Sequence, residues 1–108
     1  MHKICRIDLE NSDRIHEQLR AFARRLKSKH NVKKVYLYGS FATGGVNEAS
    51  DIDLIIVGDF KGKMPQRIRR IFDLTSLPIE PLVYTEAEFY EMKGRPFLQE
   101  VLATAEEL

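Results

Sequence analysis

Between Tyr38 and Leu54 the chain reads Tyr-Gly-Ser-Phe-Ala-Thr-Gly-Gly-Val-Asn-Glu-Ala-Ser-Asp-Ile-Asp-Leu, and this stretch concentrates the residue types that do chemistry. Three glycines with Ser40 and Thr43 behind an apolar run suit a loop whose backbone N–H groups point at a phosphate, above all if a helix starts there. Gly39 and Gly44 have the spacing of a Walker A motif, but Gly45 and Val46 stand where Lys and Ser or Thr belong. No G-x-G-x-x-G occurs either, so P-loop and Rossmann sites are excluded. Asp51 and Asp53 open the next apolar run with one residue between them. On a strand both carboxylates leave the same face, with Cα atoms ~6.5 to 7 Å apart, while Ile52 and Leu54 go to the other. Carboxylates this close repel, and one takes up a proton unless a divalent cation or a base neutralises them. Mg²⁺ is the natural guest, because it takes a few carboxylate oxygens plus water and substrate phosphates. A bare Asp-x-Asp is as readily a turn leading into a strand, with Asp53 in solvent. The glycine loop shortly before it shifts the balance toward chemistry.

The surrounding elements must place these groups. Asn11, Ser12 and Asp13 offer helix N-caps, and Ile15, Leu19, Phe22 and Leu26 follow at helical spacing, which predicts an amphipathic helix ending near His30 and Asn31. Residues 34 to 38 are β-branched and aromatic and stop at Gly39, the mark of a strand. From Asp51 to Val57 the run is apolar on both alternating faces past its first residues, so a strand buried on both sides and covered by helices is expected. Gly58, Gly62 and Pro65 bracket a turn into a short helix marked by Ile68, Ile71 and Phe72, with Arg67, Arg69 and Arg70 mainly on its wet side. Residues 79 to 84 make a third strand, placed at an edge or a bulge by Pro81, which cannot donate to a ladder. Thr85 and Glu88 form a capping-box pattern for a short helix closed near Gly94, and Pro96 starts a last helix through Phe97, Leu98, Val101 and Leu102. The expected class is therefore α/β or α+β, a small mixed sheet flanked by helices.

At 108 residues the chain is one domain, 1–108, with no repeat or linker. Hydrophobic residues at 44% and charged residues at 31% exclude a disordered chain. The net charge of +1 supplies no overall field toward nucleic acid or membrane. Residues 86 to 108 carry six acids and two bases, a net of −4, which leaves +5 on the first 85. Cys5 is the single cysteine, so an internal disulfide and a cysteine-based zinc site are excluded. His2, His16 and His30 share no metal-ligand spacing. No apolar stretch approaches the ~20 residues that span a bilayer, and a cytoplasmic protein is expected.

Gly39-Ser40, Ala42, Gly44 and then Ser50-Asp51-Ile52-Asp53-Leu54 resemble the signature of the polymerase-β-type nucleotidyltransferase superfamily, in particular its minimal nucleotidyltransferase members. The resemblance implies a mixed sheet with flanking helices, ATP with two Mg²⁺ ions, and transfer of AMP with loss of pyrophosphate. It implies that Asp51 and Asp53 hold the metals, that Gly39 and Ser40 bind the β- and γ-phosphates, and that Thr43 or a clustered arginine assists. Enzymes of this kind use a third carboxylate on a neighbouring strand, usually Asp. Glu80 is the candidate here, with Glu86 and Glu88 as weaker competitors better explained as acids in the first turn of a helix. The acceptor implied is a tyrosine of a helical HEPN protein, to which minimal members act as antitoxins, and either a homo- or a hetero-oligomer would fit such a role. Two alternatives stand beside it: a non-catalytic nucleotide-binding antitoxin, and an adenylyltransferase of a small hydroxyl compound. Nucleic acid is not expected as a direct substrate, since no continuous basic stripe is evident.

Overall fold

The computed structural model describes the backbone of residues 2–39 and 52–108, and the side chains of residues 13–39 and 52–108. The element order is α1 (His2–Lys29), β1 (Val32–Tyr38), β2 (Ile52–Gly58), α2 (Met64–Phe72), β3 (Ile79–Thr85), α3 (Glu86–Met92), α4 (Pro96–Thr104) and β4 (Glu106–Glu107). The strands form one mixed sheet in the order β3-β2-β1-β4. β2 pairs antiparallel with β1 and parallel with β3, and β4 pairs antiparallel with β1.

The apolar run of β2 is buried almost throughout because it sits inside the sheet with helices on both faces. Leu54 and Ile56 join Val35, Leu37 and Val83 in a core closed by Leu19, Phe22 and Leu26 of α1 and Ile71 of α2. Ile55 and Val57 point the other way, into a second core with Tyr84, Phe89 of α3 and Leu98 of α4. The fully buried Leu98 shows that the last helix packs on its own sheet, while Phe97 stays half exposed.

Two sequence expectations need correction, and one further element appears. The first helix does not start at Asn11, Ser12 or Asp13 but runs back to His2. No glycine or proline occurs before Gly39 to stop it, and local capping residues yield to continuing backbone hydrogen bonds. It ends where Asn31 adopts a left-handed φ of 57°. Arg67 is not on the wet side of α2 but buried. α2 lies beside the β3 edge, and the flank that a helical wheel assigns to solvent faces α3. The short strand β4, beyond reach of a two-residue pattern, is held by Glu106, which accepts from Arg20 at 3.2 Å and lies 3.3 Å from His16 Nε2.

Among the described residues β3 is an edge strand, as Pro81 implies, and its outward amides are taken up by the chain itself. Ile79 N–H donates to Leu77 O at 2.8 Å, Val83 N–H to Met64 Sδ at 3.3 Å and Thr85 N–H to Glu88 Oε1 at 2.9 Å. Pro81 has no N–H to offer. Arg67 donates to Val83 O at 3.2 Å and grips Glu88 with both terminal nitrogens, at 2.6 and 3.4 Å. Thr85 Oγ1 accepts from Glu88 N–H at 3.2 Å, completing the capping box. The Arg67 guanidinium and the Thr85 backbone hold the Glu88 carboxyl below its ordinary value of 4.5. A carboxyl lowered in the folded state contributes stability that is complete above its ordinary range and lost as pH falls through the lowered value.

Glu88→Gln should therefore leave the buried guanidinium without its ionic partner and cost about 2 kcal/mol. In thermal melts at neutral pH that is a fall of about 10 °C. The gap between wild type and variant should narrow as the pH is taken below 4.5.

Candidate functional site

Two registers create one row of side chains. β1 places Tyr38 opposite Asp53, and β3 places Glu80 opposite Asp53 from the other side. Since neighbouring strands are about 4.8 Å apart and paired residues share a face, Tyr38, Asp53 and Glu80 stand side by side. They head the face whose next row is Tyr36, Ile55 and Leu82, which anchors them in the second core. The sequence-derived carboxylate on the third strand thus lies beside the described aspartate of the Asp-x-Asp pair. Glu80 is exposed and Asp53 half-buried, so the row opens to solvent. Glu86 and Glu88, the other candidates, lie at the far end of β3 in the first turn of α3, and Glu88 is committed to Arg67 and Thr85.

Gly39 closes the row from above. It takes the left-handed φ of 78° that favours glycine, and a Cβ built there would collide with Asp53 Oδ2 and lie 3.4 Å from its Cγ. The backbone of Gly39 therefore lies close against the Asp53 carboxylate, and its left-handed φ is the feature that favours glycine here. Ser40, Thr43 and Asp51 lie outside the described residues.

Tyr38 is the member that sequence reasoning did not single out. Burial first, then the charge of Asp53, the neighbouring Tyr84 and the charge of Glu80, push its hydroxyl up to about 12. It remains a neutral phenol at neutral pH and can only temper the negative charge beside it, not add to it. The alternation Lys34, Tyr36, Tyr38 carries the signal for its face, but only the β1–β2 register turns that alternation into proximity to Asp53.

The donor set is anionic, all oxygen and mounted on neighbouring strands, which fits a hard divalent cation with oxygen ligands. Among the described residues no group of three metal-ligating side chains assembles. Asp53 and Glu80 are the two carboxylates that the described residues bring side by side.

A match to known sequences settles the class. The nucleotidyltransferase domain family matches residues 19–103, most of the chain. The chain belongs to that family. A Methanocaldococcus jannaschii protein named "Putative protein adenylyltransferase" is 49% identical over 43 residues, covering 38% of this chain and 43% of the relative. The match therefore spans less than half of that relative's length. In fold, the chain is similar to the crystal structure of a "putative nucleotidyltransferase" from Sulfolobus solfataricus, with a TM-score of 0.63, 22% identity and 78% of each chain covered. The mixed sheet with helices on both faces is the architecture of this nucleotidyltransferase domain. No described helix is long and apolar enough to cross a membrane.

Gly39→Ala should force a Cβ onto Asp53 and hold a non-glycine residue in the left-handed region. The second effect alone costs about 1–2 kcal/mol. Thermal melting should show the loss as a lower melting temperature than in wild type.

Proposed function

We propose that this domain, 1–108 acting as a single minimal nucleotidyltransferase unit, transfers AMP from ATP to a hydroxyl acceptor, a tyrosine of a HEPN-type partner protein whose toxicity it counters. The observation that carries the reading is the register of Glu80 with Asp53 beneath Gly39, which supports catalysis over nucleotide binding alone. The choice of AMP and of a protein acceptor is supported by the relative named for protein adenylyl transfer. The HEPN partner and the antitoxin role rest on the resemblance of the glycine loop and Asp-x-Asp segment.

In this reading Asp51, Asp53 and Glu80 would hold two Mg²⁺ ions, which when bound supply positive charge to the phosphates and acidify the acceptor hydroxyl. Gly39, through its backbone, and Ser40, through its hydroxyl, hold the β- and γ-phosphates, with Thr43 beside them. Their task is orientation. They align the α-phosphate for attack and fix the pyrophosphate as leaving group. The acceptor oxygen forms a bond to the α-phosphorus as the bond to the bridging oxygen of pyrophosphate breaks. In this reading Glu80 serves the acceptor, its carboxylate taking the proton of the attacking hydroxyl. Tyr38, neutral and half-buried, excludes water from the flank of Asp53 without a competing charge.

The test is transfer of label from ATP labelled at the α-phosphate into protein of a host-cell extract, with γ-labelled ATP as control. Label should move only from the α position. Asp53→Asn and Glu80→Gln, which remove metal charge at little steric cost, should each lower transfer by at least about 100-fold with an unchanged melting temperature. Transfer at the wild-type rate in Asp53→Asn would overturn the assignment.

A further inference from the structure

Two rows along from Asp53 on the same sheet face stand Lys34, Val57 and Tyr84, about 13 Å away by the strand rise. There a cavity of about 80 Å³ opens among Lys33, Lys34, Tyr36, Phe89, Tyr90 and Lys93. Buried Val57 is its floor and Glu86 its one acidic lining residue. The volume is far below the roughly 300–1,000 Å³ of a small-molecule site, so it fits one side chain of a larger partner rather than a free nucleotide.

Its chemistry narrows that partner. Three lysines against one glutamate line it, and two of the lysines stand beside tyrosines. Lys34 shares a sheet face with Tyr36 two residues along β1, and Lys93 Nζ lies 5.8 Å from the centre of the Tyr90 ring. Cations grouped in this way favour carboxylates on the visitor. Tyr36 and Phe89 stack on each other at 5.9 Å and 15°, which leaves Tyr90 as the single open ring of the pocket. A base-stacking site for single-stranded nucleic acid uses successive open rings. Tyr90, 73% exposed, is the large apolar surface that the chain leaves uncovered beside the pocket. Exposed tyrosine at a small pocket within a charged rim is the composition of a binding hot spot.

We propose that this lysine-rimmed pocket docks the protein acceptor, taking one aromatic or aliphatic side chain from an acidic segment of that partner and presenting the rest of it to Asp53 and Glu80. The identity of the partner as acceptor rests on the proposed transfer reaction; the docking of an acidic, aromatic-bearing segment does not.

A fluorescently tagged random copolymer of glutamate and tyrosine serves as the probe, followed by fluorescence anisotropy. Wild type and Asp53→Asn should bind it alike. The combined Lys33→Glu, Lys34→Glu and Lys93→Glu variant should bind at least about tenfold more weakly, and Tyr90→Ala several-fold more weakly. A lysine–tyrosine copolymer should not bind. No binding by wild type, equal binding by the charge-reversed variant, or displacement of the copolymer by oligouridylate from the same lysines would overturn the proposal. Adding α-labelled MgATP separates the two readings. Copolymer bound through the lysines but never labelled would defeat the transfer reaction alone. Equal labelling by wild type and the charge-reversed variant would defeat the docking pocket alone.

Discussion

The parallel registration of β2 with β3 is the constraint on which the site depends. It sets Asp53 and Glu80 abreast, two like charges on neighbouring strands that would separate if they were free to do so. They are not free, because the residues between and around them are locked into two cores. A slip of one residue would turn Ile79 and Val83 out of the first core and drive Glu80 into it. Each buried aliphatic side chain contributes about 1.5–3 kcal/mol, and several would be lost at once. The electrostatic strain of the acid pair is smaller than that sum. The apolar alternation of the strands thus imposes the proximity that a cation can then exploit.

Strand direction decides which end of the sheet does the work. In open α/β sheets ligands usually gather at the carboxyl ends of parallel strands. Here Asp53 and Glu80 lie near the amino ends of β2 and β3, and β1 runs the opposite way, so that its carboxyl end at Tyr38 and Gly39 meets them. Gly39 follows the last residue of β1 at that junction. The end of one strand and the starts of two others therefore converge on Asp53 without any long-range rearrangement of the chain.

Much of this was legible in the sequence. The run from Asp51 to Val57, apolar on both alternating faces past its first residues, identified a strand covered on both faces, and Pro81 narrowed β3 to an edge or a bulge, because a backbone donor is lost there whatever the context. Thr85 and Glu88 announced their capping box in advance. Glu80 could be proposed from its position at the head of a strand, but its pairing with Asp53 is a matter of register, which no local pattern encodes. The same holds for Tyr38. Arg67 was misread because a helical wheel knows one buried stripe and cannot foresee a second layer at the sheet's rim. The start of α1 was misread because a good capping residue is also a tolerable helical one when nothing downstream or upstream forbids the helix.

The finishing of the β3 rim has a consequence for how these molecules coexist at high concentration. A bare strand edge is a template on which a second chain can polymerise, and the risk grows with the length of unpaired backbone. In this protein a proline, a thioether and a capping carboxylate stand in place of open amides along the rim, and a guanidinium takes up the Val83 carbonyl. A neighbour arriving in extended form finds its potential acceptors already refused, so fibrous growth from that side is blocked in the native state. Such growth would first require Met64 and Arg67 to leave the strand, which ties resistance to self-assembly to the same contacts that hold α2 and α3 against the sheet.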